Sequence, residues 1–171
     1  MRFAPLALAA VATLAAGPLA AQQAPNITVD MMGPDGGDRG TVELRQMRRG
    51  LLLEVRLTGL PEGGHGFHVH DRGDCAPSFE SAGSHFAPRG MEHGYANPNG
   101  PHAGDLPNVH ADAEGRVRTD MFTDRVSLLR RDLNTLVDED GSALVVHERP
   151  DDYTADLETG ARIACGVIVR N

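Results

Sequence analysis

Apolar and polar residues alternate with a period of two in several short stretches of the chain. The alternation is clearest in residues 51–58, where every second residue is apolar, and it recurs in 26–31, 41–47 and 116–123, while the apolar stretches 143–147 and 162–169 are further candidate strands. Because successive side chains of a strand point to opposite faces, this period predicts half-buried β-strands. Short strands joined by glycine-rich turns favour an all-β fold, an antiparallel Greek-key sandwich or flattened barrel of about eight strands.

Residues 71–107 interrupt this pattern, because they are dense in glycine and proline and show no alternation. A loop of this length is unusual in a compact domain unless something other than backbone ladders orders it. The segment contains Cys75 and four residues of metal-ligating type, His85, His93, His102 and Asp105. We therefore predict a long loop that is ordered by metal ligands and by a disulfide.

The first 25 residues have the composition of a secretory leader. One early positive charge, Arg2, precedes an apolar run of about 15 residues and then a stretch of small residues. The run is interrupted by Gly17 and Pro18 and is too short to favour a membrane-spanning helix. We predict a signal peptide over residues 1–21, with cleavage between 20 and 24, and one domain over residues 26–171. The mature protein is then exported or periplasmic, without membrane insertion.

Charge and cysteine content narrow the function further. The chain carries a formal charge of −8, which becomes −9 without Arg2, and all of its sixteen basic residues are arginine. An acidic chain of this kind argues against nucleic acid as a partner. Two cysteines in an exported chain, Cys75 and Cys165, favour a disulfide. Monomer and homodimer both stay open.

Six histidines and one aspartate lie at metal-ligand spacing. Seven ligands are more than one four-coordinate ion uses, so they indicate two metals with one shared ligand. His68 and His70 would share one face of a strand whose other face is apolar, and His147 ends another apolar strand. With a shared imidazole, these all-nitrogen ligands suit copper, whereas the three imidazoles and one carboxylate of the loop suit zinc.

Five motifs surround these ligands and the cysteines. They are Gly-His-Gly-Phe-His-Val-His at 64–70, Ser-Ala-Gly-Ser-His-Phe at 81–86, Pro-His-Ala-Gly-Asp-Leu at 101–106, Leu-Val-Val-His-Glu at 144–148 and Gly-Ala-Arg-Ile-Ala-Cys-Gly-Val-Ile at 160–168. Together they resemble copper/zinc superoxide dismutase of the exported bacterial type. The resemblance extends over residues 27–170, and the intervals of eight, nine and three residues from His85 through His93 and His102 to Asp105 match it.

The resemblance implies disproportionation of superoxide to dioxygen and hydrogen peroxide, with copper cycling between two oxidation states. It also implies the disulfide Cys75–Cys165, a substrate-guiding role for Arg162, and a role for Asp151 in linking a copper histidine to a zinc histidine. His85 would bridge the metals and hold a proton during the cycle. The implied ligands are His68, His70, His85 and His147 for copper, and His85, His93, His102 and Asp105 for zinc.

Several alternatives accompany this interpretation. The chain could be a periplasmic copper- and zinc-binding protein with little or no turnover. A cupin metal site also uses a His-x-His pair, but it expects a glutamate where Gly73 and Asp74 stand. Asp151 could belong to a solvated turn, with Asp152 competing for its role. Only fourteen residues separate His147 from Arg162, fewer than the resemblance leads us to expect, so the placement of Arg162 depends on a short segment. His65 and His110 are expected to be structural or surface residues.

Overall fold

The computed structural model describes residues 26–156 and 158–169, so the predicted signal peptide lies outside the described residues. Those residues contain nine strands, a turn of 3-10 helix at Phe79–Ala82 and no α-helix. None of the helical structure described is long and apolar enough to cross a membrane. The strands are β1 (Asn26–Met32), β2 (Asp38–Gln46), β3 (Leu51–Leu57), β4 (Gly63–His65), β5 (Phe67–His70), β6 (Val109–Ala111), β7 (Val117–Thr123), β8 (Ser142–His147) and β9 (Arg162–Ile168).

Seven strands form one antiparallel sheet in the order β5-β8-β9-β1-β2-β3-β7, while β4 and β6 pair with each other. The alternating apolar residues of the sheet enter one continuous core, as Leu51, Leu53, Val55 and Leu57 of β3 do. Because inward residues from across the sheet meet in one cluster, the sheet curves into a half-barrel around it. The predicted all-β antiparallel fold is thus confirmed. The two three-residue strands are too short to show an alternation.

The long loop uses the free edge of β5 as well as its own cross-links. The Phe86 amide donates to the carbonyl of Val69, and the Val69 amide donates to the carbonyl of Gly104, both at 2.9 Å. A side chain at position 104 would place its Cβ 2.4 Å from the Val69 carbonyl oxygen, so only glycine permits this approach. Backbone pairing with β5 therefore orders part of this loop, in addition to the metal ligands and the disulfide that the sequence predicts.

A disulfide joins the loop to the sheet. Cys75 lies in the loop and Cys165 lies in β9, and the bond between them is the one that the sequence predicts. In the sheet register Cys165 pairs with Val145 of β8. The start of the loop is therefore fixed to the strand that follows β8, and the segment that begins there leads directly to His85.

Removing this cross-link should lower the stability of the metal-free protein. Chain entropy gives a closed loop of about 90 residues a stabilisation of about 4–5 kcal/mol. In the double variant Cys75→Ser/Cys165→Ala, denaturant titration should show the free energy of unfolding falling by about that amount. His110→Ala, which changes the exposed side chain of β6, should leave it unchanged. An unaltered unfolding midpoint in the double variant would show that pairing with β5 is enough to hold the loop.

Candidate metal centre

Four histidines from three parts of the chain form a first cluster. His68 and His70 project from β5, His147 ends β8, and His85 comes from the loop, with their candidate ligand atoms all within 4.8 Å of one another. His68 and His70 are completely buried although Val69, between them, faces the core. Strand β5 is therefore covered on both faces, by the apolar core on one side and by imidazoles on the other.

The hydrogen bonds of this cluster leave nitrogen lone pairs that converge. His68 donates from Nε2 to Asp151 Oδ2 at 3.0 Å, and its Nδ1 is buried without a hydrogen-bond partner. His70 donates from Nδ1 to the Gly83 carbonyl at 3.0 Å, which leaves its Nε2 as a lone pair 3.4 Å from Nε2 of His147. Buried lone pairs directed at one another fit a cation with nitrogen ligands.

Burial keeps three imidazoles of this cluster neutral. Together with the neighbouring histidines, it lowers the pKa of His70 to about 2, that of His147 to about 3 and that of His85 to about 4. Because all three values lie well below neutral pH, these three histidines carry no proton on their converging lone pairs at pH 7.

A second cluster is centred on a buried carboxylate. Oδ1 of Asp105 lies 3.0 Å from Nδ1 of His85, 3.0 Å from Nδ1 of His93 and 3.4 Å from Nδ1 of His102. Four ligands at about 2.0 Å from a tetrahedral zinc ion are about 3.3 Å apart, so these separations fit such an ion. Nδ1 of His102 is buried without a hydrogen-bond partner, as expected of a ligand atom.

The Asp105 carboxylate is held in its ionised form. Burial alone would raise its pKa, but the three imidazoles and backbone amides outweigh burial and lower the pKa far below the ordinary value. Its Oδ2 accepts hydrogen bonds from the amides of Gly94 and His102, both at 3.0 Å. His85 directs Nδ1 into this cluster and also belongs to the first, which leaves Nε2, on the other side of its ring, for the first cluster. One imidazole therefore joins the two sites.

Asp151 links the two clusters by a second route. Its Oδ2 accepts from Nε2 of His68 at 3.0 Å, and its Oδ1 accepts from Nε2 of His93 at 3.2 Å. The Asn108 side chain makes hydrogen bonds to both the amide and the carbonyl of Asp151, at 2.9 and 2.8 Å. Asp151 is buried, whereas Asp152 is exposed and bonds to Thr154. The geometry therefore excludes a solvated turn at Asp151 and a competing role for Asp152.

A β-bulge directs Arg162 to the first cluster. Val146 pairs with Ala164, and the next residue, His147, pairs with Arg162, so one residue of β9 is left without a partner. Arg162 donates to the Gly83 carbonyl at 2.7 Å, and the same carbonyl accepts from His70. Arg162 lines a cleft of about 910 Å³ together with His70 and His147. The short connection from β8 thus still brings the arginine beside the histidines.

Comparison with known proteins accounts for this arrangement. The family model of copper/zinc superoxide dismutase (SODC) matches residues 38–168. The chain belongs to this family. A superoxide dismutase [Cu-Zn] 2 of Aquifex aeolicus is 43% identical over 143 residues, which cover 81% of this chain and 84% of that protein.

Two solved structures of this superoxide dismutase family are similar to the chain. A SOD-like protein from Bacillus subtilis superimposes with a TM-score of 0.80 at 39% identity, covering 83% of this chain and 97% of that one. The Cu/Zn superoxide dismutase from Brucella abortus gives a TM-score of 0.69 at 32% identity, covering 85% of this chain and all of that one.

Several supporting groups of this superoxide dismutase fold have no sequence signal of their own. Thr159, in the short segment before Arg162, places its hydroxyl 3.0 Å from Nδ1 of His147. His65 lies outside both clusters and bonds to the carbonyls of His147 and Pro61, at 2.9 and 2.8 Å, so it fixes the end of β8. His110 is exposed and also lies outside both clusters. A threonine or a carbonyl oxygen acts here through its position alone, which only the fold defines.

Replacing Asp151 with asparagine should weaken metal binding at both clusters. The change removes the carboxylate that orients His68 and His93, and losing such an outer hydrogen-bond partner commonly reduces metal affinity about 10–100-fold. Competition with a chelator, followed by metal analysis, measures the loss. Asp152→Asn removes the same charge from the exposed neighbour and should retain metal normally. Equal losses in the two variants would contradict the role assigned to Asp151.

Proposed function

We propose that this chain is a superoxide dismutase that converts two superoxide anions and two protons into dioxygen and hydrogen peroxide. The observation that carries the proposal is the pair of buried ligand clusters joined by His85. Family membership supports the same activity. The first cluster would hold copper and the second would hold zinc.

The donor sets support this division of metals. His68, His70, His85 and His147 offer nitrogen alone, which suits copper, while the carboxylate cluster has the separations of a tetrahedral zinc site. Copper, when bound, supplies the one-electron exchange with superoxide. The protein holds each imidazole in the tautomer that directs a lone pair inward, through Asp151 at His68 and through the Gly83 carbonyl at His70. His85 can hold a proton at Nε2 while its Nδ1 stays directed to the second cluster.

Arg162 supplies the positive charge nearest to the first cluster. Its guanidinium is fixed by carbonyls of the loop, those of Phe79 and Gly83, each at 2.7 Å, and it keeps 15% of its side chain exposed to the cleft. An anion that enters the cleft would therefore meet a fixed cation beside the histidines. This contact would position superoxide. The charge of Arg162 stays available for it, because carbonyl oxygens rather than a buried carboxylate hold the guanidinium.

The outer part of the same cleft, which we call the acidic mouth, carries more negative than positive side chains. Its lining contains two arginines and four carboxylates, namely Arg72, Arg162, Asp71, Glu80, Asp138 and Asp140. Glu80 places Oε2 3.4 Å from Nη2 of Arg162 while 74% of its side chain is exposed. Attraction of superoxide would therefore depend mainly on Arg162 and the metal ions, because the surrounding carboxylates outnumber the one other arginine and carry the same sign of charge as the substrate.

A metal-binding protein with weak or no turnover is the second candidate. A relative in Bacillus subtilis, 39% identical over 148 residues, carries the name superoxide dismutase-like protein, and the acidic mouth would also slow an anionic substrate. The enzyme is favoured because the four nitrogen donors and Arg162 are all in place.

We also propose that the protein is exported. The leader pattern of residues 1–21 supports this, and the disulfide between Cys75 and Cys165 fits an oxidising compartment such as the periplasm.

Purified protein loaded with copper and zinc should remove superoxide catalytically. Pulse radiolysis measures the decay of superoxide directly, and the rate should increase in proportion to the concentration of copper-loaded protein. Absence of turnover at full copper occupancy would favour the metal-binding alternative.

His85→Ala should disturb both metals. The variant removes one ligand from each cluster, so copper and zinc contents should both fall and the remaining copper should show an altered electron paramagnetic resonance spectrum. His110→Ala removes an exposed imidazole outside the clusters and should match the parent protein. Normal contents of both metals with an unchanged copper spectrum in His85→Ala would refute the shared-ligand assignment.

Neutralising the acidic mouth should speed the reaction at low salt. Glu80→Gln removes the negative charge beside Arg162, and we expect kcat/KM to increase roughly threefold at about 0.01 M ionic strength. The difference from the parent should shrink at about 0.15 M, where the Debye length is near 8 Å. Glu114→Gln, exposed outside the cleft, serves as the control. A lower rate in Glu80→Gln would mean that Glu80 positions Arg162 rather than repelling the substrate.

A further inference from the structure

A second cleft, separate from the one above the metal centre, is strongly basic. It has a volume of about 420 Å³, and none of its lining residues also lines the cleft above the histidines. Five positive and two negative side chains line it, an excess of three positive charges in a chain whose formal charge is −8. These residues are Arg48, Arg49, Arg89, Arg125, Arg131, Asp124 and Asp132. We call this set the arginine cleft.

Neutral groups position two of these arginines. Arg89 donates from Nε to the side-chain oxygen of Asn134 at 3.2 Å, and Asn134 in turn donates to the carbonyl of Arg125 at 2.6 Å. The guanidinium of Arg125 lies over the ring of Tyr95, 4.7 Å from its centre. Both side chains are thereby oriented without losing their charge, as a site that recognises an anion requires.

The arginines of the cleft lack the carboxylate partners that several other arginines have. Arg45 and Arg56 on the sheet, and Arg116 beside it, each contact a carboxylate within 3.0 Å. Within the described residues, none of the five arginines of the cleft has a carboxylate within 4.0 Å. The cleft therefore concentrates arginines that form no ion pair within the protein, and its two aspartates offset only part of their charge.

A loop at the edge of this cleft exposes two leucines. Residues 129–133, with the sequence Leu-Arg-Arg-Asp-Leu, form what we call the leucine tip. Leu129 is 44% exposed and Leu133 is 65% exposed, and both line the arginine cleft. Arg130 and Arg131 lie between them in the sequence. Apolar and cationic side chains are thus presented together.

The loop that carries the leucine tip is anchored at both ends. Ser127 donates from its amide to the Asn134 carbonyl at 3.0 Å, and the Leu136 amide donates to the Ser127 carbonyl at 2.8 Å. Leu128 is fully buried, and Gln46 accepts a hydrogen bond from its amide. Because the neighbouring leucine enters the core, the exposure of Leu129 is a fixed property of the folded loop.

We propose that the leucine tip and the arginine cleft dock the protein on an anionic lipid bilayer. The arginines would bind lipid phosphates, which they can contact with two parallel hydrogen bonds, and Leu129 and Leu133 would enter the boundary between headgroups and acyl chains. A soluble polyanion would satisfy the arginines but leave both leucines in water. The acidic remainder of the protein would be repelled by the same surface, which favours one orientation.

The contact is expected to be reversible and sensitive to salt. Each basic residue near an anionic membrane contributes roughly a fivefold increase in affinity, and two leucines are far too little apolar surface for permanent insertion. Screening over about 8 Å at physiological ionic strength should weaken binding compared with low salt.

Co-sedimentation with lipid vesicles tests the proposal on the metal-loaded protein. Vesicles of phosphatidylcholine mixed with phosphatidylglycerol should bind it at low salt, and vesicles of phosphatidylcholine alone should not. Arg130→Ala/Arg131→Ala should reduce the affinity roughly 25-fold, and Leu129→Ser/Leu133→Ser should reduce it roughly tenfold. The matched controls are Arg45→Ala/Arg56→Ala, which removes the same charge, and Val169→Ser, which removes an exposed apolar side chain; both should bind like the parent.

Three results would overturn the proposal. The first is no binding to anionic vesicles, and the second is equal binding to neutral ones. The third is that the leucine variant binds vesicles as tightly as the parent and that inorganic polyphosphate binds both proteins alike, which would assign the cleft to a soluble polyanion. Unfolding temperature and superoxide removal, measured on every variant, verify folding, and vesicle binding is read independently of activity.

Discussion

An imidazole binds a given metal ion through only one of its two ring nitrogens, so the protein must fix the other nitrogen with a hydrogen bond. The metal centre of this protein is organised around that requirement. The groups that hold the second nitrogen are Asp151 for His68 and His93, the Gly83 carbonyl for His70, and Thr159 for His147. These groups lie in the loop or in the segment after β8. The requirement therefore explains why both irregular segments must be fixed against the sheet before the site can exist.

Gly83 shows how closely structural and functional demands coincide. Its carbonyl accepts hydrogen bonds from both His70 and Arg162, so the cluster and the cation in the cleft share one anchor. Its φ of +76° and the 2.0 Å approach of an added Cβ to Asp71 both favour glycine. The disulfide of Cys75 and the pairing with β5 hold the loop on either side of it. A shift of this one carbonyl would move the arginine and the histidine together.

The sequence predicts the strands and the ligand groups well because both leave periodic or chemically distinctive patterns. Alternation predicts β3, and the spacing of His85, His93, His102 and Asp105 matches a group that the structure brings together. Pattern alone does not reveal the bulge that opposes Arg162 to His147, since it depends on a one-residue shift between strands. It does not reveal Thr159 or Asn108 either, because a hydroxyl or an amide acquires its role only from tertiary placement.

The net charge of the chain likewise does not reveal how its charged side chains are distributed over the surface. A formal charge of −8 suggests a molecule that anions avoid, and the acidic mouth around Arg162 agrees with it. The arginine cleft does not, because it gathers five cations against two carboxylates, and an amide and an aromatic ring orient two of those cations. Field strength at a surface depends on local groups within about a Debye length, so a single acidic chain can repel anions at one cleft and attract them at another. Net charge therefore excludes partners only where the charged groups are evenly distributed, and in this protein they are segregated.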